Sequence, residues 1–532
     1  MNKQTKKATL VIHTLIALAA GIVLGSIIQT QVNLAALQSM GVEISTGRRV
    51  MTTLWDLVTF SPIYGLLFSV GFLVSQTIAL MISRLLLNGT HRILLCSVGA
   101  ALGLMVTLYL VNHFAPMPTL IAATRNTLGF VAMLASAAFA GALFAALRGW
   151  SAKHPSKVAG FILVVGVAGL VMEAPPALAQ APDEGRDYQI ETLAEGLEHP
   201  WSLAFLPDGR MLVTERPGRL RLLSAEGDTL VESLDGVPDV YVSGQAGLFD
   251  VLPSPQFEED QQLFLSYACG DWDANHTCLS YGILTEEGLE EVTEIFRVTP
   301  AKHGDAHYGG RLAWLPDETL MLTLGDGFDY REQAQNLENH IGTLVRLNRD
   351  GSVPEDNPFV DQASALPEIY SYGHRNVQGL AYDEEHQRLI INEHGPRGGD
   401  EINIIDAGAN YGWPIATTGL DYTGARVTPF EEYPGTVSPV LEWTPSIAPS
   451  GLAIYTGELF PQWQGDLLVG ALVNQEVRRV RLSGDGTSAE DVEGLFGELE
   501  ERIRDVRVGP DGAIYLLTDN PEGRVLRVTP AG

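Results

Sequence analysis

Hydrophobic and polar positions divide this chain into two parts with different rhythms. Five long apolar runs open it, at about residues 10–28, 57–82, 93–111, 128–147 and 158–171. The first four approach the roughly 20 residues that a helix needs to cross a bilayer, and the fifth is shorter. From about Tyr188 the apolar residues come instead in short strand-length runs broken by Pro, Asp and Gly. One unit, strand–turn–strand, recurs six times: LAFLPDGRMLVTE from Leu203, VLPSPQFEEDQQLFLSY from Val251, LAWLPDETLMLTLGD from Leu312, LAYDEEHQRLIINEHG from Leu380, LAIYTGELFPQWQGDLLVGAL from Leu452 and VRVGPDGAIYLLTD from Val506. A recurrence every 50–70 residues or so is the mark of a repeat architecture, and short β-rich runs without a long amphipathic helix make each repeat a small sheet. The predicted fold is an all-β six-bladed β-propeller, residues 188–532, preceded by an α-helical transmembrane region, residues 1–175, with 176–187 as linker. A β-sandwich, or two small β domains, is the alternative that six matched copies disfavour.

Charge follows the same division. Before residue 181 there are eleven Lys and Arg against three acids, a net of +8, and the remainder carries 23 bases against 61 acids, a net of −38. An acidic domain of this kind is a poor ligand for nucleic acid, which needs clustered bases. In the front, Lys3, Lys6 and Lys7, then Arg84 and Arg92, then Arg148, Lys153 and Lys157 fall at alternate ends of the apolar runs. With those positions cytoplasmic, the amino terminus is inside and the fifth run carries the acidic domain out, against a minority of Arg48, Arg49 and Arg125. Lys157, the fifth run and APPALAQA also have the three regions of a signal peptide, with cleavage after Ala179. Either reading exports the domain: held at the inner membrane facing the periplasm, or released.

Of three cysteines, Cys96 lies inside an apolar run, whereas Cys269 and Cys278 flank the polar turn GDWDANHT. In an exported domain the latter two can close a hairpin disulfide, with two free thiols as the alternative. No CxxCH attaches a haem, and His13, His91 and His113 form no evident pair.

The loop NEHGPRGGDEIN, 392–403, combines a histidine, a proline, three glycines, an arginine and three acids. Glycines let backbone carbonyls approach a bound object, and carbonyls with carboxylates are what a hard cation such as calcium takes as ligands. With it, in order, come PWSLAFLPDGRMLVTERPGRLR, GQAGLFDV, HYGGRLAWLPD, YSYGHRNVQGLAYD, NYGWP and RIRDVRVGPDGAIYLLTD. Together these resemble the soluble glucose and aldose sugar dehydrogenases that depend on pyrroloquinoline quinone (PQQ), more closely their periplasmic aldose branch, from about Leu197 to the end. The membrane front is outside the resemblance.

The resemblance implies oxidation of an aldose at its anomeric carbon to a lactone, with PQQ and Ca2+ as cofactors and electrons passed to an external acceptor, a quinone or a soluble carrier. It makes His307 the base, with His374 and His394 as rivals. It gives the backbone carbonyls of Gly395 and Pro396 to the calcium that holds the quinone. Glu401, Tyr411 and Asp421 match a second, structural calcium, or are ordinary polar contacts of a blade. Arg375, Asn376, His394, Arg502 and Arg504 fall on cofactor-holding positions, where an arginine fork suits a carboxylate. Gln245 matches a residue near the quinone, and Trp443 either covers the substrate pocket or is a core residue. Two departures stand out: Val473 replaces a lysine that relatives use toward the cofactor, and Ala306 replaces an acid of the glucose-specific branch. A cofactor-free binding ectodomain and a calcium-dependent lactonase on the same fold are the competing functions; neither needs His307, Arg375, Arg502 and Arg504 together.

Overall fold

Strands whose residues are buried on every side need neighbours on both faces, and the central strands here are of that kind. Met211–Glu215, Leu320–Leu324, Leu467–Ala471 and Ile514–Thr518 are buried at every position. A computed structural model describes residues 3–85, 91–114, 119–153 and 188–531. By internal contacts it divides into a helical unit, to which the short segment Asp421–Arg426 also belongs, and a β unit over Asp187–Leu420 and Val427–Gly532 that also takes in Ser39–Val42.

The β unit is six four-stranded antiparallel sheets. In blades 1 to 5 the strands lie in simple sequence order; blade 1, for example, is Pro200–Phe205, Met211–Glu215, Arg219–Leu223 and Thr229–Val231. The first strands of successive blades touch one another round the ring, which makes them the innermost. Six apolar clusters fill the six blade–blade interfaces. Phe264 and Leu279 of blade 2, for instance, meet Leu322 and Val345 of blade 3, and Ile390 and Ile402 of blade 4 meet Leu467 and Val469 of blade 5. The propeller has no single core, so each interface is a separate layer of burial. Blade 6 takes three strands from the carboxyl terminus, Ile503–Val508, Ile514–Thr518 and Gly523–Pro530, and its outer strand, Tyr188–Leu197, from the other end of the domain. Tyr188 pairs with Pro530 and Leu197 with Gly523, so the ring is fastened by hydrogen bonds between the domain's two ends.

In the helical unit, Lys3–Ser39, Ser61–Leu85, Arg92–Phe114 and Thr127–Lys153 are helices, each long and apolar enough to cross a membrane. They correspond to the first four apolar runs. A shorter helix, Thr46–Thr59, begins at Ser45, whose hydroxyl accepts from the Arg48 N–H as an N-cap. The fifth run and the cleavage site after Ala179 lie outside the described residues.

Candidate active site

In an antiparallel blade the start of the first strand and the end of the second lie at the same edge. Six blades round a ring therefore bring twelve such positions to one end of the central channel. There they line a cavity of about 200 Å³, open to solvent on one side, with residues from every blade. His199, Trp201 and Arg216 come from blade 1, Gln245 and Phe249 from blade 2, Tyr308 and Gly309 from blade 3. Asn376, Gln378 and His394 belong to blade 4, Ala448 and Leu472 to blade 5, and Arg502, Arg504 and Asp519 to blade 6.

Below the cavity the channel is stopped by charge. Arg311, almost wholly buried, lies 3.1 Å from Asp505, and Arg507 bonds Asp505 at 2.9 Å and Asp250 at 3.2 Å. The Ser202 hydroxyl also donates to Asp250, and the backbone N–H groups of Leu203 and Leu312 donate to Asp505 and Asp250. Two arginines against two aspartates, each with further hydrogen bonds, satisfy the rule that buried charge must be paired. The cavity is thus closed at its base, and its own charge is a separate matter.

That charge is positive. Asp519 accepts from Arg502 at 3.0 Å and from Arg504 at 2.9 Å. Burial pushes the Asp519 carboxyl upward, but the two guanidiniums hold it far below the ordinary aspartate range. Arg504 keeps one buried group, its Nε, without a hydrogen-bond partner. With Arg216 the cavity sets three guanidiniums against one carboxylate, so it suits an anionic ligand.

His307 stands at the start of blade 3 in a left-handed conformation, φ 53°. It is buried; its neighbours Gln245, Tyr308 and Gly309 line the cavity. The Gln245 Oε1 accepts from the His307 backbone N–H at 2.8 Å. The ring Nδ1 lies 2.6 Å from Asp326 Oδ1. Asp326 also accepts from the Phe328 N–H and from Trp413 Nε1, both at 2.8 Å. Asp326 being ionised, Nδ1 carries the proton of that bond and Nε2 is left as the acceptor. Burial, then the Arg375 charge, holds the imidazole below its usual pKa, opposed by Asp326. Asp326 is pushed upward by burial yet ends below the ordinary value, held there by His307 and Arg375. A neutral imidazole oriented by a carboxylate is the arrangement a general base requires.

The rival histidines are engaged differently. His374 is fully buried between Glu393, 2.9 Å from its Nδ1, and the Ser371 hydroxyl, 2.9 Å from its Nε2, so both nitrogens are committed. His394 donates from Nε2 to the Pro449 carbonyl at 2.8 Å, and burial places its pKa well below the usual range.

The loop 392–403 is drawn inward by Asp400, whose carboxylate accepts from the N–H groups of Gly395, Ile447 and Ala448 and from the Ser446 hydroxyl. A Cβ at Gly395 would stand 2.2 Å from the Gly399 carbonyl oxygen and 2.3 Å from that of Gly398, so only glycine fits there. The carbonyls of His394 and Gly395 accept from Arg375 Nη1 at 3.0 and 2.7 Å. The carbonyl expected to serve calcium thus already faces a cation, with the buried Pro396 next to it. A small second cavity adjoins, lined by Arg375, Glu393, Gly395, Glu401 and Trp413 among others. Glu393 and Glu401 are directly paired across two strands, and burial, with the facing Glu393 charge, raises the Glu401 pKa well above the usual value.

Not every expected residue meets this site. The Tyr411 hydroxyl is committed to blade 4, donating to the Ile404 carbonyl and accepting from the Asp406 N–H. Asp421 opens a tight turn, accepting from the Gly424 N–H at 2.7 Å. Trp443 is a core residue, packed with Ile390, Leu467 and Val480 and donating to Asp491 at 2.9 Å. Val473 is 59% exposed and brings no charge. Asn376 lines the cavity and accepts from the Gly309 N–H at 3.3 Å. Conversely, Arg216, Asp326, Trp413 and Asp519 belong to the site; all four lie in stretches quoted above, but only their partners in space give them a role there.

Residues 197–527 match the Glucose / Sorbosone dehydrogenase family. The chain belongs to that family. This family member is 44% identical over 348 residues to the Aldose sugar dehydrogenase YliI of Escherichia coli (strain K12), covering 64% of this chain and 92% of the relative. It is 27% identical over 429 residues to the Quinoprotein glucose dehydrogenase B of Acinetobacter calcoaceticus, covering 65% and 88%. Among solved structures, the apo-form of the soluble aldose sugar dehydrogenase from Escherichia coli superposes with a TM-score of 0.62 at 42% identity, over 65% of this chain and all of that one. The PQQ-bound form of the aldose sugar dehydrogenase from Streptomyces coelicolor gives 0.53 at 30% identity, over 64% and 98%. The family member is therefore an oxidoreductase of the sugar dehydrogenase class on a six-bladed propeller, and the family match begins at residue 197, after the four long apolar helices.

Proposed function

We propose that the propeller oxidises aldoses at the anomeric carbon to lactones with PQQ and Ca2+, passing the electrons to an external acceptor, a quinone or a soluble carrier. The observation that carries this reading is the His307–Asp326 hydrogen bond beside a cavity that is rich in arginine. The chemistry of the cavity fits the cofactor. PQQ bears three carboxylates, and the cavity has a surplus of guanidinium charge with the Arg504 Nε still lacking a partner. Arg502 and Arg504 would hold carboxylates by their planar forks, and Asn376 and Gln245 would donate side-chain N–H groups. His394 would line the same wall. The carbonyls of Gly395 and Pro396 are ligands of the type calcium takes, and the Gly395 oxygen that would serve it is held here by Arg375 Nη1. For the second ion, Glu401 beside Glu393 is the better supported part of the trio with Tyr411 and Asp421, since a cation would relieve two facing carboxylates.

PQQ, when bound, supplies the two-electron oxidant. The protein handles the proton. The His307 Nε2 accepts it from the anomeric hydroxyl as the C–H bond gives up its hydrogen with both electrons, and the carbonyl of the lactone forms. Asp326 keeps the proton on Nδ1, so that Nε2 is always the acceptor, and stabilises the imidazolium that results. Gln245 fixes the His307 backbone. The closed channel base limits water to the open side.

The test is direct. The purified full chain in detergent, given PQQ and Ca2+, should reduce a redox dye with glucose or other aldoses and yield the lactone, and chelation of calcium should abolish this. Absence of dye reduction with every aldose in the presence of both cofactors would reject the reading.

A further inference from the structure

We infer that Arg216 is a third anchor for the carboxylates of the cofactor, set in the wall of the cavity by blade 1. The inference rests on the PQQ reading above and adds a residue to it.

Three observations carry it. First, Arg216 lines the cavity together with Arg502, Arg504 and Asp519. Its neighbours in the same hairpin are all paired: Arg210 with Asp208, Arg219 with Glu198 and Glu215, Arg221 with Glu215 and Glu232. Arg216 has no carboxylate within 4 Å among the described residues. The nearby Asp519 is already shared by two guanidiniums, with the His199 imidazole 3.5 Å away. In a domain where acids outnumber bases so heavily, an arginine left without an acid is held for something else.

Second, the residue is fixed in place. Its backbone N–H donates to the His199 carbonyl at 3.0 Å, and its own carbonyl accepts from the Leu248 N–H at 2.9 Å, so it bridges the starts of blades 1 and 2. Its stem crosses Gly247, where a Cβ would fall 2.2 Å from Arg216 Cγ. Glycine there gives the side chain its lane. A pre-positioned guanidinium loses less entropy on binding than a free surface one.

Third, the arginine stands among like charges that a bound anion would offset. Burial lowers its pKa, and the Arg504 and Arg502 charges add to that, against the attraction of Asp519. Val473 supplies no cation from blade 5, so the positive wall is made by blades 1 and 6. A ligand with several carboxylates can engage both.

The experiment is titration of the full apo chain in detergent with PQQ, read by quenching of tryptophan fluorescence, for which Trp201 in the cavity wall is a reporter. Arg216→Met should raise the PQQ dissociation constant about ten-fold or more and flatten its dependence on salt, since one ion contact is lost. Arg216→Lys should fall between, because a point charge replaces a fork. Arg210→Met, which removes an exposed charge outside the cavity, should bind as wild type does. Thermal unfolding of each apo variant checks its fold; if Arg216→Met does not fold, Arg216→Lys and Arg216→Gln carry the comparison. Wild-type affinity in Arg216→Met, with binding weakened in Arg502→Ala/Arg504→Ala, overturns the role of Arg216 and leaves the cofactor reading standing. A wild-type chain that takes up no PQQ overturns the cofactor reading itself.

Discussion

Two groups a hydrogen bond apart set the acid–base behaviour expected of this site. His307 can accept a proton only when neutral, and burial beside Arg375 keeps its pKa below the ordinary 6.5. Activity should therefore rise with pH through a limb in kcat/KM whose midpoint lies below 6.5, with the base fully competent above it. Asp326 opposes that shift, so Asp326→Asn should move the limb further down while lowering turnover, a readout that a merely structural loss would not give. His307→Gln should lower turnover by about two orders of magnitude or more, the usual contribution of a positioned base, with PQQ still bound by titration; near wild-type turnover would remove His307 from the role. How much of this was legible follows from what a residue's neighbours in sequence can say. His307, Arg375, Arg502 and Arg504 sit in motifs that announce them. Asp326 lies 19 positions beyond its partner histidine and meets it only when the first hairpin of blade 3 closes, and Trp413, 87 beyond Asp326, joins them only when the loop after blade 4's third strand packs against blade 3. Trp443 has the opposite history: a motif next to a loop of the site, but a side chain turned into the core.

At the scale of elements, the six sequence copies are the first two strands of the six blades, because those strands are buried on both faces and read as apolar runs. The outer strands escaped the pattern. Their exposed faces carry charge, as in Ala489–Leu495, and one of them, Tyr188–Leu197, closes the ring with a partner more than 300 residues away. The disulfide of Cys269 and Cys278 clips a hairpin of blade 2. That hairpin supports the loop leading to His307: Asn275 and Lys302 exchange backbone hydrogen bonds, and the Tyr308 hydroxyl donates to Asn275 Oδ1 at 2.8 Å. Lys302 itself lies with Nζ 3.5 Å over the Tyr308 ring, and burial brings its pKa down to about 7. A loop of this length closed by a disulfide contributes about 2–3 kcal/mol through the entropy of the unfolded chain. Replacing both cysteines by serine should lower the unfolding free energy by that amount in denaturant titration and reduce turnover more than PQQ affinity. Unchanged stability would show that the β-ladder alone holds the hairpin.

For the whole molecule, the number of spans fixes the side on which sugar is met. The four described apolar helices are an even number, so by themselves they return the chain to the side where it began. Arg84 and Arg92 at the facing ends of the second and third, and Arg148 and Lys153 at the end of the fourth, then fall on the same side as Lys3, Lys6 and Lys7, which the preference for positive cytoplasmic loops assigns to the inside. The acidic propeller follows residue 187. To stand outside it needs one more crossing, for which the sequence offers the apolar run 158–171. Whether that run stays as a fifth span or is cut after Ala179, the crossing is the same. Alkaline phosphatase, which folds to an active enzyme only outside the cytoplasm, should be inactive when fused after residue 154 and active when fused after residue 185. Activity at both points would move the fourth helix out of the membrane count, and inactivity at 185 would place the propeller inside and refute export. With export established, the fraction in which the fused enzyme is found decides between anchor and release: membranes for a retained fifth span, the soluble periplasmic fraction for cleavage.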